Sequence, residues 1–339
     1  MITHPHLLQV IVLLGSSVLL VSLFTKFGLG SILGYLAAGI LIGPQVSHLV
    51  TDYNYTQSLS EFGVVFLLFI IGLELQPRKI WALRKTLLGF GGLQIILCTS
   101  IFAVIANAFG VSWVSSWVVG FALSLSSTAF ALQSLTEKKV LNTEFGRAAF
   151  AVLLMQDVAA IPALAIIPTL GIGAAQAEEV HWGQASFVIL GLVILSRTLM
   201  GPFLRQVAAL RSRELFTGVT LFIVMGVAAL MEFTGLSMAL GAFIAGVLLS
   251  ESEYRHELEA DLEPFKGLLM GLFFMSVGMS VNLKLLIELP MYIIGMTLLY
   301  MITKGMVIFA VGKIMRLRNL ASHNFATYLL QGGEFAFVI

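Results

Sequence analysis

Charge is what this sequence has least of. Lysine, arginine, aspartate and glutamate make up 11% of its 339 residues, against about 25% in an ordinary soluble domain. So sparse a charge excludes a water-exposed globular chain. Cysteine occurs once, at Cys98, which excludes an internal disulfide and a thiol-rich metal site. The net charge of +1 says nothing for a nucleic-acid partner. The six histidines show no metal-ligand spacing. The opening MITHPH lacks the basic start of a signal peptide, so the first apolar stretch is expected to persist as a mature helix.

Apolar residues fill the space that charge leaves, at 58% of the chain with a mean hydropathy of +0.98. Apolar windows of about 20 residues suffice to cross a ~30 Å hydrocarbon layer as helices. They recur at 7–25, 29–44, 58–74, 86–109, 112–135, 145–170, 183–205, 214–232, 236–250, 264–282, 286–313 and 321–339. The fold class is therefore an all-α polytopic membrane protein, because inside lipid every backbone group must be bonded within the chain and these runs exceed a barrel strand. The last run stops without a polar flank at Ile339, so the natural chain is expected to continue. Assigning alternate loops to one side gathers sixteen lysines and arginines there, from Lys26 to Arg318, against Lys284 alone on the other. That asymmetry puts the rich side in the cytoplasm and the N-terminus outside. Arg197 and Lys304 fall within spans.

The chain also repeats itself. GYLAAGILIG (34–43) aligns with GAFIAGVLLS (241–250) at an offset of 207. FLLFIIGLEL (66–75) aligns with LFFMSVGMSV (272–281), and LSSTAFAL (125–132) with QGGEFAFV (331–338), both at 206. Span 2 pairs with span 9, seven apart, so the copies have opposite orientation. The expected division is a first repeat over 7–170, a linker helix over 183–205 and a second repeat over 214–339. Inverted repeats belong to secondary transporters, whose sites lie near the midplane at broken helices. SLSSTA (124–129) and QGGE (331–334) are the candidate breaks, unless their small residues only serve close helix packing. With no catalytic constellation present, the chain reads as a carrier and not an enzyme.

Polar groups inside the spans mark the site. Asp157 lies ten residues beyond Arg147, about 15 Å along a helix, and an acid at that depth is a functional candidate by default. A carboxylate holds either a proton or a dehydrated alkali cation, so one group couples the two fluxes by competition. Gln156 adds a neutral carbonyl ligand, and Ser127 and Thr128 in the first break add hydroxyls. The competing reading is an Asp157 satisfied by a neighbouring lysine. Lys304, within YMITKGMVIFA, is the obvious partner, either as a static ion pair or as a switch that releases Asp157 when a cation binds. Glu334, in the second break, is expected to balance a helix dipole rather than to hold the ion. The acid-rich loop SESEYRHELEADLEPFK (250–266), with His256, Glu257, Glu259, Asp261 and Glu263, reads as a docking surface for a basic or regulatory partner, or else as a solvated acidic helix.

GLELQP, AVLLMQDVAAIP, GAFIAGVLLSESEYRHELEADLEPFKGLLMGLFF and QGGEFAFV together resemble the glutathione-gated potassium efflux branch of the cation:proton antiporter-2 family. The resemblance extends over essentially the whole chain. It implies a sodium/proton-antiporter-like inverted-repeat fold of thirteen helices, about twelve of them here, in a homodimer with a core part and a dimerisation part. It implies potassium efflux in exchange for protons at the bacterial inner membrane, with potassium as substrate at Asp157 and Gln156 and with Lys304 facing the acid. The loop from His256 to Glu263 would contact a C-terminal cytosolic domain absent from this chain, which would hold nucleotide and sense glutathione and its adducts. No cofactor is expected in this chain itself. Membrane lipid and an ancillary cytosolic oxidoreductase complete the implied partners, with no nucleic acid. A sodium:proton antiporter of the same fold and a ligand-gated potassium channel remain open as alternatives.

Overall fold

The structure, a computed structural model, describes residues 5–47, 53–75, 77–167 and 182–337, and the regular elements among them are helices. The first half of the order runs α1 (Pro5–Lys26), α2 (Ser31–Ile42), α3 (Tyr53–Glu74), α4 (Pro77–Thr86), α5 (Leu93–Ala108), α6 (Trp113–Ser124), α7 (Thr128–Glu137) and α8 (Glu144–Ile166). Then follow α9 (Trp182–Leu195), α10 (Gly201–Ala209), α11 (Arg213–Glu232), α12 (Met238–Leu249), α13 (Arg255–Ser280), α14 (Leu283–Glu288), α15 (Pro290–Ile314) and α16 (Asn319–Leu329). A π-helical stretch, Leu87–Gly92, joins α4 to α5, and a second, Ser196–Met200, joins α9 to α10. The chain enters a short 3₁₀ helix at Glu334–Phe337.

Each expected span falls on a helix, but the lengths are uneven. Among the described residues, five helices are long and apolar enough to cross a membrane alone: Gln9–Lys26, Leu83–Ala108, Gly183–Ala209, Arg213–Glu232 and Pro290–Ile314. Their surface is apolar too, with Leu19, Phe187, Phe222 and Met291 each more than 70% exposed, as lipid contact requires. Others are too short to cross unaided: α2, α6 and α12 have 12 residues each, about 18 Å at 1.5 Å per residue. The acidic segment, left open above as a docking surface or a solvated helix, is largely helical. It is helical from Arg255, and Arg255–Phe265 meets Gly267–Ser280 at a 43° bend. Pro264, inside this helix, lacks the N–H that would keep it straight.

The chain forms two compact units, one of Met1–Glu74, Ser186–Glu232 and Gly241–Pro290, the other of Leu75–Ala185, Phe233–Leu240 and Met291–Ile339. Each draws on both copies of the repeat, so compactness does not follow the repeat boundaries.

In the first unit, α2 packs on α13 and α12 on α3, and the four helices meet through glycines. A Cβ on Gly39 would collide with the backbone carbonyl of Met275, and one on Gly246 with that of Phe69. A Cβ on Gly278 would meet the carbonyl of Leu36 and stand 3.1 Å from Gly39 Cα. One on Gly72 would meet the carbonyl of Phe243 and stand 3.0 Å from Gly246 Cα. These are repeat partners taken crosswise. Gly39 corresponds to Gly246, Phe69 to Met275, Gly72 to Gly278 and Leu36 to Phe243, each 206 or 207 apart. The same two contacts are thus made twice, with the copies exchanged, as the pseudo-twofold axis of an inverted repeat demands.

The second unit surrounds two interrupted helices. Its core packs Cys98 and Phe102 of α5, Ala149, Val152 and Leu153 of α8, Val307, Ile308 and Val311 of α15, and Phe325 and Leu329 of α16. Within it the expected span 112–135 divides into α6 and α7. Leu125 is extended (φ −74°, ψ 141°) after α6, and Ser127 caps α7 by accepting the Phe130 N–H. Serine hydroxyls offer local partners that compete with the helix ladder, and three of the four residues 124–127 are serine. The span 321–339 divides at 330–333, after α16 and before the 3₁₀ helix, where Gly332 and Gly333 lower the cost of leaving the helix.

Candidate functional site

The two breaks cross each other directly. Gly333 N–H donates to the Leu125 carbonyl at 3.1 Å, and Ser126 Oγ donates to the Leu329 carbonyl at 2.7 Å. A Cβ on Gly333 would stand 2.8 Å from Ser126 C and O, so the approach needs glycine there. Unwound backbone leaves donors and acceptors that the interior must satisfy, and three polar side chains do so.

Lys304, fully buried on α15, is the first. Its Nζ donates to the Leu125 carbonyl at 2.7 Å, the Tyr300 hydroxyl at 2.9 Å and the Gln331 carbonyl at 3.0 Å. An ammonium has three protons, so its hydrogen bonding is complete without a carboxylate. Leu125 and Gln331 are repeat partners, 206 apart. One cation therefore ties the equivalent carbonyl of each break, at the negative ends of α6 and α16, where positive charge is stabilising.

Gln156 is the second, on α8 and also buried. Its Oε1 accepts the Ser126 N–H at 2.8 Å. Its Nε2 donates to Gln94 Oε1 at 2.8 Å and to the Ser124 carbonyl at 3.2 Å. The amide expected to offer the ion a free carbonyl is turned to the backbone of the first break instead, because the unwound peptide at 126 needs an acceptor. Gln94, the third, lies fully buried on α5 and donates from Nε2 to the same Ser124 carbonyl at 3.0 Å.

Asp157, the next residue on α8, is half-buried. Thr128 Oγ1, at the first residue of α7, donates to its Oδ1 at 3.1 Å. A carboxylate beside a helix N-terminus opposes the positive dipole end. Of the sequence candidates, Asp157 and Thr128 thus come together, Ser127 acts as the α7 cap, and Gln156 and Lys304 hold the breaks. Glu334 begins the 3₁₀ helix at the repeat position of Thr128, 206 residues on; its side chain lies outside the described part of the structure.

The acidic segment divides by face. Glu257 and Glu263 are exposed, and His256 lies 3.8 Å from the half-buried Glu259. Asp261 is buried, accepting from Thr217 Oγ1 at 2.9 Å and lying 3.5 Å from Arg213 of α11. Asp261 therefore does not belong to an exposed docking surface, because Leu258 and Leu262, both fully buried, turn its face of the helix inward. Among the described residues no group of histidine, cysteine, aspartate and glutamate is arranged to hold a metal centre.

Sequence reading missed Gln94, Ser126 and Tyr300. Two signals were available. Gln94 is an amide inside an apolar run, and Tyr300 stands one turn before Lys304 at the repeat position of Gln94.

Known proteins share this architecture. The family model described as sodium/hydrogen exchanger, transmembrane, matches residues 12–339. The chain belongs to the sodium/hydrogen exchanger family. Similar relatives include proteins named glutathione-regulated potassium-efflux system protein KefC from Escherichia coli strain SMS-3-5 and from Shigella flexneri, each 45% identical over 98% of this chain. The chain spans about half, 54%, of the length of these relatives. The solved sodium proton antiporter MjNhaP1 from Methanocaldococcus jannaschii superposes with a TM-score of 0.64 at 15% identity, over 98% of this chain and 84% of that one. The fold is thus that of a polytopic membrane antiporter, with inverted repeats and two broken helices.

Proposed function

We propose that the chain is the membrane part of a potassium:proton exchanger that carries potassium out of a bacterial cell across the inner membrane, with its N-terminus outside. The observation that carries this is Asp157, bonded by Thr128 at the start of a broken helix beside the crossing of the two breaks. A carboxylate there takes a proton from one side or a cation from the other, and each displaces its rival. The potassium assignment rests on the names of the 45% identical relatives. Those names also support regulation by glutathione, acting through a cytosolic domain that would bind nucleotide and glutathione and touch the exposed residues His256, Glu257 and Glu263. A homodimer and an ancillary oxidoreductase belong to the same reading, as does the division into repeats over 7–170 and 214–339.

Reconstitution in liposomes, with potassium, sodium and internal pH followed together, tests it. Potassium gradients should drive protons uphill, and Asp157→Asn should abolish that coupling while the protein still folds. Passive potassium flux without proton movement would leave the channel reading standing. Sodium:proton exchange is the second reading, since that is the activity by which the solved MjNhaP1 is named. Coupling to sodium in preference to potassium would establish it. In the full-length protein, Glu257→Gln with Glu263→Gln should raise basal potassium leak if that face bears the brake, and unchanged leak would remove it.

A further inference from the structure

Gln94 has no part in the exchange just described, yet it is fully buried and every polar atom of its amide is engaged in the first break. Its partners fix how both amides point. The Ser126 peptide N–H can only donate, so it requires the oxygen of Gln156. The Ser124 carbonyl can only accept, so it requires the nitrogen of Gln156 and the nitrogen of Gln94. That leaves the Gln94 oxygen facing the remaining N–H of Gln156, at 2.8 Å. No other arrangement satisfies all four groups. Two residues beyond Ser126, Thr128 bonds Asp157, and Asp157 adjoins Gln156 on α8. The ring from Gln156 through Ser126 and Thr128 back to Asp157 is closed, and Gln94 braces it from α5.

We infer that Gln94 is a positioning residue for cation recognition. By orienting Gln156 and holding the peptide groups from Ser124 to Ser126, it sets the distance between the Asp157 carboxylate and the oxygens around Thr128. This rests on the reading of Asp157 as the exchange site. A proton needs one carboxylate oxygen and tolerates a loosened neighbour. A dehydrated alkali cation needs several oxygens at fixed distances. Loss of the brace therefore falls on the cation side of the exchange.

The test compares Gln94→Leu with the unaltered protein in liposomes. The apparent KM for potassium should rise about 3- to 10-fold, the worth of one internal hydrogen bond, with the maximal rate within about 2-fold and the potassium-to-sodium preference moved toward one. In a double-mutant cycle, the same change made on Gln156→Leu should add less than it does alone, because part of the action of Gln94 passes through that amide and only its bond to the Ser124 carbonyl is left to lose. A separate readout needs no transport: hydrogen exchange over residues 121–130 should quicken in Gln94→Leu in cation-free buffer. If the leucine variant does not fold, Gln94→Met removes the same bonds with a more flexible side chain.

An unchanged KM and ion preference, in a protein whose Asp157→Asn variant is inactive, would overturn the role of Gln94 and leave the exchange reading intact. A fall in maximal rate and thermal midpoint, with KM and preference unmoved, would overturn it as well, since that is the mark of packing alone. If the unaltered protein couples no cation to protons, the exchange reading fails, and the hydrogen-exchange result alone decides whether the brace exists.

Discussion

The molecule crosses helices from its two repeats in two ways. In the first unit the crossing is made of glycines: Gly39, Gly72, Gly246 and Gly278 let backbone meet backbone, with helices intact. In the second unit the helices stop before they cross, and Lys304, Gln156 and Gln94 supply what the broken ladders lack. Both use equivalent positions of the two copies. The glycine crossing depends on shape, since its peptide groups are bonded within their own helices. The polar crossing depends on hydrogen bonds, and beside it the Thr128 hydroxyl bonds the Asp157 carboxylate. One duplicated plan thus yields one crossing closed by shape and another closed by hydrogen bonds.

Substitutions can break that contrast. Lys304→Met has the largest expected effect on stability: it leaves the Gln331 carbonyl without its buried donor and the Leu125 carbonyl with one of two. The lost charge-assisted bonds are worth ~3 kcal/mol or more, to be read as a lowered thermal midpoint in detergent. A change below about 1 kcal/mol would show that water fills the ammonium's place. Next come Gly39→Ala and Gly246→Ala. Each forces a methyl against a backbone carbonyl and should cost about 2 kcal/mol. Because the two sites are copies of one contact, their losses should agree within about 0.5 kcal/mol. Unequal losses would show that one crossing carries the frame alone. The smallest effect belongs to Gly191→Ala. Nothing lies within 4 Å of a Cβ there, and helix propensity alone should raise stability by ~1 kcal/mol or less. A loss at that position would mean that the exposed face of α9 is covered in the assembled protein.

Much of the frame was legible in the sequence. Apolar length located the helices, and the offset of 206 or 207 located both the repeat and the breaks, because a duplicated chain keeps its glycines and serines in register. Lengths were less legible: α2 and α12 stop at 12 residues although their apolar windows run on. The candidate site could be named from the sequence as residues but not as bonds. Asp157 invited pairing with Lys304 because a charge in an apolar span calls for its opposite. The partners that complete the ammonium's bonding are carbonyls of unwound backbone, and these have no residue type to announce them. The bonding of Gln156 was illegible for the same reason, since the donor to its oxygen is the peptide of Ser126. Asp261 looked like one of several surface acids. Only its register with Leu258 and Leu262, once Arg255 onward is known to be helical, turns it toward Thr217 and Arg213.

The crosswise glycine contacts carry a meaning for ancestry. Gly39 meets Met275 while Gly246 meets Phe69, so each copy offers the other the same patch that it receives. That is an isologous interface, the kind by which two identical subunits close a dimer. A half-length chain inserted into a bilayer in both orientations would bury this same surface against its own twin. Fusion of the two genes would then preserve the contact without inventing it. It would also free the halves to diverge where they most visibly have, with Tyr300 and Lys304 in one copy standing where the other keeps Gln94 and Cys98.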